Sequence, residues 1–215
     1  MTSTRTFLYA FVAAALGACG DGGKPPPAAD VAPDTAAPVA PAPAPAAEGS
    51  ADGITARAML DEALAEAQKW APDAELAGVA TSLADGPRHA FWFYDVQSRA
   101  RGACTRIRAL ASGRVENVGT GEECVLMKPV ATGFVDSPQA WDAARAAGFD
   151  PGDSAQFGLR FQRDEALPQA HECWVLWSDA DGDEATGLTR GWCVDPASGQ
   201  FVARLSGKGR QEPLR

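Results

Sequence analysis

The chain holds 215 residues, 28 of them acidic and 19 basic, for a formal net charge of −9. The basic residues form no block, which excludes nucleic acid and anionic membrane surfaces as partners for the body of the protein. The apolar run near the N-terminus is too short to cross a bilayer as a helix.

Residues 1–18 come first in chain order. Arg5 supplies a charged start, Phe7 to Ala15 an unbroken apolar stretch, and Leu16, Gly17 and Ala18 a small-residue exit. That is the layout of an export signal. It explains eighteen residues but leaves Cys19 unaccounted for. The stretch Leu16-Gly17-Ala18-Cys19 closely resembles the lipobox of bacterial lipoproteins. The resemblance implies that the Cys19 thiol receives a diacylglycerol, that the signal is cut before it, and that the new amino group is acylated. Each buried CH2 of such chains adds about 0.8 kcal/mol, so two or three chains make an anchor. Gly20, not Asp, follows the cysteine. In enterobacterial lipoproteins an Asp there retains the protein in the inner membrane, so the resemblance favours the outer membrane of a Gram-negative cell. The expected location is the cell envelope, with the acyl chains on Cys19 making the membrane contact.

Residues 19–52 follow as anchor and tether. From Gly20 onward the stretch is rich in Pro and Ala, has no aromatic residue and has almost no large apolar one. It cannot bury enough surface to offset the entropy of ordering, and its prolines keep it extended. The spacing predicts a folded part from about residue 53 to 210.

In "TARAMLDEALAEAQKWAPDAEL", Leu60, Leu64, Ala67 and Trp70 or Ala71 recur at helical spacing, and Pro72 ends the helix. Strands are expected at Leu76–Leu83, His89–Val96, Cys104–Leu110 and Arg114–Val118, separated by turn signals. From Asp136 the order starts again. Ser137 is the expected N-cap, Pro138 the first helical residue and Trp141 part of the apolar face. Strands follow near Ala155–Gln162, His171–Trp177, Leu188–Asp195 and Phe201–Leu205.

"HAFWFYD" and "HECWVLW" each place Trp three residues after His, and "ALASGRV" and "DPASGQF" share Ala-Ser-Gly at the last hairpin. We therefore expect an α+β fold of two repeats, 53–125 and 135–210, joined by a linker at 126–134, each a helix packed on a four-stranded antiparallel sheet. "VDPASGQFVARL" resembles the closing hairpin of PepSY-type modules, and the unit resembles that cystatin-like class in outline. The first copy lacks the Val-Asp step. The resemblance implies an exported or membrane-attached module that binds or inhibits peptidases, with an envelope protein or peptide as partner.

Four cysteines remain after Cys19. Cys173 and Cys193 lie symmetrically about Asp183, the centre of an expected hairpin loop, and Cys104 and Cys124 flank the first Ala-Ser-Gly hairpin. The expected disulfides are Cys104–Cys124 and Cys173–Cys193, each closing a loop of about twenty residues worth roughly 3 kcal/mol on the chain-entropy model. There is no C-x-x-C pair and no expected metal site.

The alternating Asp179, Asp181 and Asp183 sit as in some calcium loops, but the glycine is at 182 and the twelfth position is Arg190 rather than Glu. No G-x-S-x-G, H-E-x-x-H or phosphate-cradling loop is present, and His89 and His171 occupy matching strand starts. The expectation is a non-catalytic binding or inhibitory module without a cofactor. The alternative is a structural envelope lipoprotein without a specific ligand, and behind it an enzyme or a calcium-binding module.

Strand alternation places the expected binding surface. Ile107 lies between Arg106 and Arg108, so its side should face the helix, grouped with Phe91 and Phe93. Trp92, Tyr94, Arg106 and Arg108 would then form an outward, hot-spot-like face. In the second repeat the same alternation puts Cys173, Val175 and Cys193 on the helix side. Trp174, Leu176, Trp192 and Val194 fall on the outer side, where we expect Trp174 and Trp192 to be covered.

Overall fold

A computed structural model describes residues 53–152, 155–183 and 188–214, the side chains of 179–189 excepted. The signal, Cys19 and the tether lie outside the described residues, as do the side chains of the Asp179–Asp183 series.

Helix α1 spans Leu60–Trp70 and α2 spans Ser137–Ala146. In α1 the residues at helical spacing, Leu60, Ala63 and Ala67, are buried, with Asp61 and Glu62 in the first turn and Lys69 in the last, where they complement the helix dipole. The N-cap of α2 is Asp136, whose carboxylate accepts from the Ser137 N–H, so the helix opens one residue earlier than expected. Ser137 is fully buried and does other work: its hydroxyl oxygen accepts from the Ala56 N–H at 3.0 Å and its proton goes to the Pro87 carbonyl at 2.7 Å.

The strands are β1 Glu75–Ala84, β2 Phe91–Ser98, β3 Ala103–Leu110, β4 Val115–Asn117, β5 Ala155–Arg163, β6 His171–Asp183, β7 Leu188–Val194, β8 Phe201–Leu205 and β9 Arg210–Gln211. The fold class is α+β, with all strand pairings antiparallel. They form one sheet of order β4-β3-β2-β1-β5-β6-β7-β8, with β9 paired to β5 off this path. The seam is the β1·β5 pair, where Val79 faces Leu159 and Ala80 faces Gly158. The stretch 126–134 is packed rather than loose: Val130 and Phe134 are buried, and the Val130 N–H donates to Leu76 O.

Both helices contribute to one core on the same sheet face, α1 against β3 and β4 and α2 against β6 and β7. Trp92, Trp174 and Trp192 sit at its centre, fully buried. Their rings run through Phe157 and Phe149, with Trp92 and Trp174 6.2 Å apart. Each indole buries on the order of 150–250 Å2, about 4–6 kcal/mol of transfer free energy. Each indole N–H is also satisfied, by the carbonyls of Ile54, Val135 and Ala147.

This overturns the expected faces. Strand β3 pairs Ile107 with Tyr94 and Ala109 with Trp92. Ile107 does face the helices, but it brings Trp92 and Tyr94 with it, while Phe91 and Phe93 lie on the opposite face. A shift of one residue in register moves a whole strand's side chains across the sheet. In the second half Trp174, Leu176, Trp192 and Val194 belong to the helix-side core, and Cys173, Val175 and Cys193 to a smaller cluster with Leu167 and Leu205 on the other face.

Candidate functional site

The face opposite the helices is where the chain leaves open surface. Its second half is plugged by the Leu167 cluster, built on the Cys173–Cys193 disulfide, whose Cα atoms are 5.1 Å apart. The Cys104–Cys124 pair, at a Cα separation of 5.8 Å, closes the loop after β4. Both bridges join the cysteines that the spacing pairs.

Between the plug and the first half runs a groove of about 260 Å3 along the seam. Its floor is Gly78 and Ala80 on β1 and Gly158 on β5. The glycines let the seam close tightly: a Cβ on Gly78 would lie 3.0 Å from Leu159 O, and one on Gly158 3.0 Å from Val79 O. The β1·β5 pairing ends at Val79–Leu159; beyond it β9 pairs with β5, and the Gln211 amide donates to Ala77 O at 3.2 Å.

Two guanidinium groups line the groove from opposite sides. Arg106, from β3, donates through Nε to Asp95 at 2.6 Å and lies over the Phe93 ring. The hydrogen bond to the Asp95 carboxylate makes the Arg106 guanidinium hold its proton more tightly than usual. Arg160, from β5, lies over Trp177 with 4.5 Å from guanidinium carbon to ring centre, and its Nε donates to Gln162 Oε1 at 3.0 Å. Among the described residues no carboxylate pairs with it and no other acceptor takes its terminal N–H groups. Burial without a counter-charge pushes its pKa down to about 10. The groove therefore carries one uncompensated positive charge inside a chain of net charge −9.

Of the four expected binding residues, only Arg106 lines this groove. Trp92 and Tyr94 are fully buried in the core, and the Tyr94 hydroxyl donates to Ala56 O at 2.9 Å. Arg108 is on the open face but is bound to Glu116. Gly78, Gly158, Arg160 and Trp177 were missed. A glycine inside a strand pattern signals a close backbone approach, and both "LAGVA" and "QFGLR" carried that signal.

The histidines serve local structure. His89 Nδ1 lies 2.8 Å from Thr81 Oγ1 and 3.2 Å from Phe91 O. His171 Nε2 lies 3.1 Å from Asp195 Oδ2, and the Ser198 hydroxyl donates to Asp195 Oδ1 at 2.8 Å. The order is Ser–Asp–His, so the imidazole is not placed between serine and carboxylate to take the serine proton. Burial raises the Asp195 pKa, but the N–H and hydroxyl of Ser198 and the Ala197 N–H outweigh it and hold the carboxyl below its usual range.

Among the described residues no helix is long and apolar enough to cross a membrane, and no group of three His, Cys, Asp or Glu side chains is placed to hold a metal. Compared with protein-family models, curated proteins and solved structures, the chain returns no match.

Proposed function

We propose that this is a lipid-anchored cell-envelope protein whose folded part is a non-catalytic binding or inhibitory module. The lipobox ending in Cys19 supports the anchor, and the tether at 19–52 gives the module reach from the membrane, the outer one in a Gram-negative cell. The observation that carries the binding reading is the open-face groove, with a guanidinium that has no paired carboxylate among the described residues. An envelope protein or peptide is the partner class.

The folded part is read as two diverged copies of one helix-plus-four-strand unit, 53–125 and 135–210. Matching hydrogen bonds support this. Trp92 and Trp174 each donate to a carbonyl just before a helix, Ile54 O and Val135 O. The two Ala-Ser-Gly turns each put their glycine at positive φ, +81° at Gly113 and +72° at Gly199. The strand order also reads outward from the seam as β1-β2-β3-β4 and β5-β6-β7-β8.

The test has two arms. Palmitate labelling and membrane fractionation of the full chain should be lost in Cys19→Ser. Cross-linking in whole envelopes should then capture one stoichiometric partner, and Ala80→Trp, which fills the groove floor, should abolish it. Capture of nothing by either form supports a purely structural lipoprotein and refutes the binding reading.

A further inference from the structure

We propose that the groove takes the carboxylate of an acidic peptide side chain, clamped by Arg160 against Trp177; this rests on reading the groove as the binding site. A guanidinium carries five N–H donors in a planar fork that matches a carboxylate bidentately. Gln162 fixes Arg160 through its Nε alone, and Gln162 itself is 2 % exposed and held by its Nε2 contact to Arg163 O. The Trp177 ring fixes the plane of the guanidinium from one side. The terminal N–H groups are thus oriented but unused by the described residues. No buried side-chain nitrogen or oxygen among the described residues lacks a partner, so those groups reach the open groove.

The opposite side has a different balance. Arg106 is neutralised by Asp95, so the net charge of the groove sits at the Arg160 end. The cation is partly desolvated before any ligand arrives, and much of the desolvation cost of pairing it has been met in folding. A ligand carboxylate therefore gains a charge-assisted pair at reduced cost. The space is about 260 Å3, enough for an acidic side chain but not for a folded element. The groove is open along the sheet face, and strands β3 and β5, which carry the two arginines, stand three intervals apart, about 14 Å. That leaves room for the rest of a peptide to lie along the face while one side chain enters.

The experiment is an NMR titration of the full-length chain in zwitterionic micelles. The probes are an acetylated, amidated tetraglutamate peptide, its tetraglutamine counterpart and inorganic phosphate. Tetraglutamate should shift the Arg160 Nε–H, Trp177 indole and Gly158 amide signals saturably, and tetraglutamine should leave them in place. Arg160→Lys should weaken binding about tenfold, through loss of one of two charge-assisted bonds, and Arg160→Gln should abolish it. If Arg160→Gln fails to fold, Ala80→Trp gives the same test by filling the groove. Equal shifts with tetraglutamine, or phosphate binding as tightly as tetraglutamate, overturn the proposal. If tetraglutamate leaves the groove signals unmoved while Ala80→Trp still blocks capture of an envelope partner, the groove is the binding site and the carboxylate assignment is wrong. If neither effect is seen, both readings fall.

Discussion

Tyr94→Phe isolates a single buried hydroxyl. Tyr94 has no exposed surface, and its hydroxyl donates to Ala56 O at 2.9 Å, tying β2 to the segment that leads into α1. The ring stays in the phenylalanine variant, so packing is held nearly constant. What is lost is one net hydrogen bond, about 0.5–1.5 kcal/mol, plus part of the penalty of stranding a buried carbonyl, about 1–3 kcal/mol. We expect a destabilisation of about 1–2 kcal/mol. With an m-value of about 2 kcal/mol per molar urea, the midpoint should fall by roughly 0.5–1 M with m unchanged. An outward-facing Tyr94 would give a change within about 0.5 kcal/mol. The same hydroxyl sets an alkaline limit. Burial first, then the negative charges of Asp136 and Glu62, push its pKa well above the ordinary value of 10.0. The folded state therefore favours the neutral phenol. The resulting stability is fully present below the unfolded value near pH 10 and is lost as pH rises through the folded value. Because the chain has two tyrosines, the measurement uses a Tyr9→Phe background. Tyrosinate absorbance should then appear only above pH 10, together with loss of the native fold. A tyrosinate forming near pH 10 in the folded protein, or a stability change near zero, refutes the buried assignment.

Other outcomes follow from the same contacts. A non-reducing peptide map should yield only Cys104–Cys124 and Cys173–Cys193, and replacing the latter pair with alanine should cost about 3 kcal/mol in urea unfolding; a bridge between the halves refutes the pairing. Ser137→Ala strips partners from the Ala56 N–H and the Pro87 carbonyl and should cost about 2 kcal/mol, whereas a change below 0.5 kcal/mol would mean the hydroxyl is dispensable. Asp195→Ala removes the acceptor for Ala197, Ser198 and His171 and should cost about 1 kcal/mol at neutral pH. The Asp195 carboxyl is held below its ordinary 3.8, so its stability is present above that value and is lost as pH falls through the lower folded value. Wild type and variant should converge in acid, and a gap that persists below that range refutes the charge-based account.

Much of the architecture was legible because it rests on local signals. Pro72 stops α1, the Gly113 and Gly199 turns demand positive φ, and alternating apolar residues mark β3. The cysteine pairing was legible because separation and hairpin geometry coincide. The faces were not. In "FWFYD" every residue but the last is aromatic, so period-two alternation carries no contrast, and either parity satisfies it. The decision lies in the cross-strand partner, Ile107 to Tyr94, which no local pattern specifies. Strand β9 was missed for a related reason: Arg210–Gln211 is two residues long and pairs with β5 where the β1 pairing has ended, which no local pattern specifies.

The small residues of the β1·β5 seam explain why the groove lies where it does. A continuous antiparallel seam would fill its open face with side chains from both strands. Here Gly78, Ala80 and Gly158 contribute almost none, so β1 and β5 close on each other and leave a trough above them. Past Gly78 the strands part, and Gln211 from β9 closes that end of the trough. On the β6 side Trp177 packs, half-buried, against the Leu167 plug and is the platform for Arg160. The glycines that make the floor thus serve the seam first. The cation above them has the opposite character: no carboxylate among the described residues offsets its burial, and Arg160 lines the open groove. A cation buried without a carboxylate partner, placed where solvent and ligand have access, is the place on this face to look for a function.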